Sequence, residues 1–76
     1  MRIRYERDAA GTTRVQILDF EMRRVRTLRA RDASPGAHEL VWDGTDARGL
    51  RLPNGTYFYE VETDRGRARG KILLID

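Results

Sequence analysis

The sequence predicts an all-β fold, a small antiparallel sandwich or barrel of six or seven strands. Three observations carry this: apolar residues recur with period two along most of the chain, turn signals punctuate it every 8 to 15 residues, and no stretch has convincing helical spacing. The 76 residues leave room for one domain, spanning 1–76, with no internal boundary or linker. A chain of this length buries roughly 60% of the surface its unfolded form exposes, so its core is small.

Met1 to Arg7 alternates, with Ile3 and Tyr5 on one side and Arg2, Arg4 and Glu6 on the other, which reads as a half-buried strand. Asp8 to Thr12 supplies a turn. Thr13 to Phe20 resumes the alternation, Val15 and Ile17 sharing a face. After a turn at Asp19–Arg23, the run Arg24–Ala30 has Val25 facing inward and Arg24 and Arg26 facing out. A bulge at Thr27 or Leu28 would bring Val25 and Leu28 to the same side. A helix over Glu21–Arg31 is the rival, but the run lacks an N-cap signature.

Asp32, Ser34, Pro35 and Gly36 make Arg31–Ala37 a loop by composition. His38, Leu40 and Trp42 then share the inward face of a strand, and Leu50–Leu52 could add a short seventh one. From Thr56 to Thr63, Tyr57, Tyr59 and Val61 alternate with Phe58, Glu60 and Glu62. Asp64-Arg65-Gly66 signals a tight hairpin. The final run ends in Ile72-Leu73-Leu74-Ile75, as if buried on both faces or covered at an edge by the first strand, and Asp76 ends the chain on it. The expected core is Ile3, Tyr5, Val15, Ile17, Val25, Leu28, Leu40, Trp42, Tyr57, Tyr59, Val61, Ile72 and Leu74.

The densest stretch is His38–Tyr59, which holds the single tryptophan, two of the three tyrosines and a run of aspartates and glycines. It reads as a structural corner. Trp42 fills the core between sheets, Asp43 and Asp46 tie the turn, Gly44, Gly49 and Gly55 permit its backbone, and Tyr57 and Tyr59 close over the tryptophan. Asp43-Gly44-Thr45-Asp46 offers only two carboxylates, short of what a hard cation requires, so a turn is preferred over a metal site. His38 has no second ligand at a suitable spacing and is expected to pack beside Trp42.

Several function classes are excluded or disfavoured. There is no cysteine, no Gly-x-Ser-x-Gly elbow, no phosphate-cradling glycine loop and one histidine, so no catalytic constellation and no cofactor site emerge. Fifteen basic residues against twelve acidic give a formal charge of +3, almost wholly from arginine. Arg65, Arg67 and Arg69 share one face of the last strand, but either hairpin register sets glutamates against bases: Glu62 and Glu60 meet Arg69 and Lys71, or after a two-residue slip Arg67 and Arg69. Such pairs contribute about 0.2–1 kcal/mol each and consume charge that nucleic acid would need. A solvated face is therefore preferred, with arginine-mediated binding to an acidic polymer the weaker alternative. No apolar run approaches a membrane span, and Met1-Arg2-Ile3-Arg4 has no signal-peptide core, so an export signal would lie outside these residues.

An ordered set of short motifs resembles the FlgD-type Ig-like domain, the family named after the flagellar hook-capping protein. The set runs Val15-x-Ile17-x-Asp19, Val25-Arg26-Thr27-Leu28, Pro35-Gly36-x-His38, Trp42-Asp43-Gly44-x-Asp46-x-x-Gly49 and Pro53-Asn54-Gly55-x-Tyr57-Phe58-Tyr59, over about residues 3 to 75. The resemblance implies an Ig/fibronectin III-like β-sandwich, commonly the C-terminal module of large secreted or cell-surface bacterial proteins. It implies an extracellular or cell-surface location, and either an accessory role as spacer, stabiliser or anchor or self-assembly through an exposed edge strand. The partners would be parent-chain domains or other copies, with no small-molecule substrate. The family has glycine in the turn before Val25 where this chain has Met22, so that turn must differ or be strained. The family's Asn-Pro-Phe approach to the first strand is also missing, and the sequence ends in Asp76 where related modules that serve as C-terminal sorting signals in some bacteria tend to end in basic residues.

Overall fold

The computed structural model describes residues 1–75, and Asp76 lies outside them. Six strands follow one another: β1 (Arg2–Arg7), β2 (Gly11–Leu18), β3 (Arg24–Asp32), β4 (Gly36–Val41), β5 (Gly55–Thr63) and β6 (Gly66–Leu74). They form two antiparallel sheets, a pair β1-β4 and a four-stranded sheet in the order β3-β2-β5-β6. No helix occurs among the described residues, which removes the helical alternative for Glu21–Arg31. The seventh strand reduces to an isolated bridge between Thr45 and Arg51.

Alternation decides the packing. Ile3 and Tyr5 from β1, Val15 and Ile17 from β2, Tyr57 and Val61 from β5, and Ile72 and Leu74 from β6 are buried around Trp42. Val25, Leu28, Leu40 and Tyr59 pack partly buried against that cluster. Each sheet thus turns one apolar face inward and one polar face to water.

Four expectations need correction. The bulge lies at Val25, not at Thr27 or Leu28, because Ile17 pairs with Arg26 and Leu18 with Arg24. Arg26 consequently points inward, where its guanidinium reaches the Thr45 and Asp46 carbonyls at 3.3 and 3.1 Å. The loop expected over Arg31–Ala37 contracts, since β3 runs through Asp32 and β4 begins at Gly36. His38 stacks on Tyr5 with ring centroids 5.9 Å apart. It cannot also reach Trp42, four residues further along an extended chain and roughly 13 Å away. Finally, Ile72-Leu73-Leu74-Ile75 is buried on one face only, with Leu73 58% and Ile75 66% exposed, because β6 is a sheet edge that β1 does not cover.

The β5–β6 turn holds Asp64 and Arg65 and sets Glu62 opposite Arg67 and Glu60 opposite Arg69, the slipped of the two registers. Glu60 accepts from Arg69 Nε at 2.9 Å and lies 3.7 Å from Arg67.

Candidate functional site

At one end of the sandwich the chain leaves β4 through Trp42, whose side chain is fully buried. Its backbone is clamped to the first residue: Trp42 N–H donates to the Met1 carbonyl at 2.8 Å, and the Met1 amine donates to the Trp42 carbonyl at 2.7 Å. The indole Nε1 donates to the Thr45 carbonyl at 2.9 Å. Tyr57 meets the indole edge-on with centroids 5.5 Å apart, and its hydroxyl donates to the Pro53 carbonyl at 2.6 Å. An aromatic pair in this geometry adds roughly 0.5–1.5 kcal/mol beyond its area burial.

The aspartates organise the loop that follows. Asp43 Oδ1 accepts from the Thr45 amide and hydroxyl at 3.1 and 2.6 Å. Those bonds, led by the hydroxyl, hold the Asp43 carboxyl below the usual carboxylate range. Asp46 Oδ1 accepts from the amides of Arg48 and Leu50 at 2.8 and 3.1 Å. Gly44 and Gly49 stand at φ 82° and 84°, a region that side chains disfavour. At Gly44 a Cβ would also press on Leu74. Gly55 opens β5. Tyr59 lies away from this constellation, its ring over Gly70 of β6; the ring contact to Trp42 is made by Tyr57.

Beside the corner a groove of about 560 Å³ opens between the β2–β3 turn and the loop before β5. Phe20, Val25, Leu52, Pro53 and Tyr57 wall it, and Phe20 is 76% exposed. Its carboxylates are engaged: Asp19 accepts from the Arg23 and Glu21 amides, both at 2.9 Å, and from Arg23 Nε at 3.0 Å. These bonds, foremost that from the Arg23 amide, keep the Asp19 carboxyl low. Among the described residues no group of three or more His, Asp or Glu side chains converges as a metal site.

The opposite end holds a cluster that the sequence did not single out. Arg7, Thr13 and Asp32 are buried polar residues. Asp32 Oδ2 accepts from the Tyr5 hydroxyl and from Thr13 Oγ1, each at 2.8 Å, and Oδ1 lies 3.5 Å from His38 Nδ1. Arg7 donates to the Ala9 and Thr12 carbonyls, to Thr13 Oγ1 and to Asp64 Oδ1. Burial pushes the Asp32 carboxyl up, but the Tyr5 and Thr13 bonds and the neighbouring His38 and Arg7 outweigh it and leave the group below its ordinary value. The Tyr5 phenol is raised, first by burial and then by its bond to Asp32. A signal was present: Arg7 continues the Ile3–Tyr5 parity, and Thr13 that of Val15–Ile17.

Two facing antiparallel sheets, a tryptophan corner and a buried polar bridge at the far end define a small Ig-like β-sandwich. The family model described as the FlgD Ig-like domain matches residues 2–67, and the chain belongs to that family. The basal-body rod modification proteins FlgD of Salmonella typhimurium (strain LT2) and Salmonella typhi are each 36% identical to it over 50 residues. That alignment takes in 66% of this chain but 22% of either relative, so the matched part of the chain spans about a fifth of their length. No solved structure matches the chain.

Proposed function

We propose that the chain is a non-catalytic structural domain that spaces, stabilises or anchors a larger protein exported to the cell surface or beyond. The supporting observation is how its polar chemistry is spent. Among the described residues no buried side-chain nitrogen or oxygen lacks a hydrogen-bond partner, and the bonds of Asp43, Asp46, Asp32 and Arg7 all run to the protein itself. Groups committed in this way hold a scaffold together and are not themselves poised for proton transfer or nucleophilic attack. Family membership supports the same reading.

A second reading is favoured by the open edges of the four-stranded sheet, β3 and β6, and by the name of the Salmonella relatives, basal-body rod modification protein. In it the chain is an assembly subunit whose edge strand recruits another copy. Light scattering with negative-stain microscopy separates the two. The accessory role expects a monomer at high concentration, and filaments or rings would overturn it in favour of assembly.

A further inference from the structure

The strand order gathers charge that is scattered in the sequence. On the outer face of the four-stranded sheet, β3 contributes Arg24, Arg29 and Arg31, and β2 contributes Arg14. β6 contributes Arg67, Arg69 and Lys71. The acids on that face are Glu60 and Glu62 of β5. Seven bases against two acids make the face +5, while the whole chain is +3, so everything else together is −2. Glu62 is taken by Arg14 at 2.6 Å and Glu60 by Arg67 and Arg69. Among the described residues no ion pair holds Lys71, Arg24, Arg29 or Arg31.

The same residues of β6 present the backbone of an unpaired edge. A two-residue hairpin closes on a hydrogen-bonded pair, here Thr63 and Gly66. Alternation along an antiparallel ladder then directs Gly66, Ala68, Gly70, Ile72 and Leu74 toward β5 and turns the N–H and C=O groups of Arg67, Arg69, Lys71 and Leu73 outward. Arg67 and Arg69 keep 65% and 73% of their side chains exposed despite Glu60. A guanidinium carries five donors, so each retains capacity for a further carboxylate.

We propose that the free edge of β6 receives, as a fifth strand, an extended acidic segment of another protein with carboxylates at alternate positions. This rests on the reading that the chain is a non-catalytic structural domain. Backbone groups of Arg67, Arg69, Lys71 and Leu73 supply the ladder, and their side chains select the partner by charge. A second copy joined β6 to β6 is a poor occupant. Two antiparallel β6 strands would set arginine opposite arginine or lysine, and like charges directly opposite are destabilising. The chain's own alternating acids, Glu60 and Glu62, are locked inside the sheet on β5.

The test titrates the chain with a fluorescent peptide as long as β6 that alternates glutamate with threonine, and follows amide hydrogen exchange. Saturable binding is expected, with new protection at Arg67, Arg69, Lys71 and Leu73. A peptide of equal composition with its glutamates in one block should bind about tenfold more weakly, as should the variant Arg67→Thr/Arg69→Thr toward the alternating peptide. Lys71→Pro, whose lost N–H points away from β5, should abolish binding while the melting curve remains cooperative. Equal affinity for the blocked peptide, or for a single-stranded oligonucleotide of matched charge, would overturn strand addition and leave a polyanion-binding face. Protection of the same four amides by self-association without peptide would overturn it in favour of a second copy. A monomer that ignores the peptide would refute this inference alone and leave the accessory role standing.

Discussion

The Tyr5 hydroxyl donates to Asp32 Oδ2 at 2.8 Å across the space between the two sheets, from β1 of one to β3 of the other. Thr13 of β2 donates to the same oxygen, and His38 of β4 lies against the other one. Four strands therefore converge on one carboxylate at the end of the sandwich away from Trp42. The clamp between Met1 and Trp42 closes the near end. A core this small has few contacts to spare, and fixing both ends sets the register of β1 between them.

Asp32→Asn should destabilise the domain by about 1–3 kcal/mol at neutral pH, the cost of disturbing a buried charged acceptor with two donors. The difference should depend on pH. The folded Asp32 carboxyl lies below its unfolded value, so its contribution is complete above the unfolded carboxylate range, roughly pH 4, and is lost as the pH falls through the folded value. Chemical denaturation of both proteins from pH 7 down to pH 2 should show the gap between them closing on the acid side. A gap of constant size would show that Asp32 is not the titrating group.

The strands were legible because a half-buried sheet writes period two into its residues, as in Ile3 and Tyr5, Val15 and Ile17, or Tyr57 and Val61. The polar bridge was not, because a charged residue is read as exposed by default. Arg7 and Asp32 are buried only because each finds partners on strands distant in sequence. The bulge was misplaced for a related reason: the spacing of Val25 and Leu28 requires an irregularity, but its location is set by Arg26 turning in to the Thr45 and Asp46 carbonyls. The basic face was invisible as a whole. Arg67 and Arg69 could be placed together from one strand, whereas adding Arg14, Arg29 and Arg31 to them requires the order β3-β2-β5-β6.

Trp42→Ala should unfold the domain or nearly so. Truncating a fully buried tryptophan costs roughly 3–5 kcal/mol, comparable to the whole stability of a small domain. It also leaves the Thr45 carbonyl without its indole donor. Far-UV circular dichroism during a thermal ramp gives the readout. A cooperative transition near that of the parent would show that the corner does not hold the fold.

Gly70→Ala tests the other tyrosine. A Cβ at Gly70 would collide with the outer atoms of the Tyr59 ring, which packs against the core. Overpacking of this kind costs about 1–3 kcal/mol. Tyr59→Leu shortens the side chain, so the same Gly70→Ala change made in that background should cost much less. Equal costs in the two backgrounds of the double-mutant cycle would mean that Gly70 is needed for some reason other than the ring.

Met22→Gly should stabilise the protein. Among the described residues Met22 is the non-glycine residue with positive φ, at 64°. The turn is held around it: the Asp19 amide donates to the Arg23 carbonyl, the Met22 amide to the Asp19 carbonyl, and the Asp19 side chain accepts from the Glu21 and Arg23 amides. These bonds fix the left-handed conformation, which costs an L-residue roughly 1–2 kcal/mol. Glycine removes that cost but raises the entropy of the unfolded chain by up to about 1 kcal/mol. Because Met22 is half-exposed, little core contact is lost with it. The net gain should be about 0.5–1 kcal/mol, a rise of several degrees in Tm for a domain of this size. Met22→Ala keeps the strained conformation without the long side chain and should show no such gain; an equal rise in both variants would locate the effect in the exposed side chain and not in the backbone.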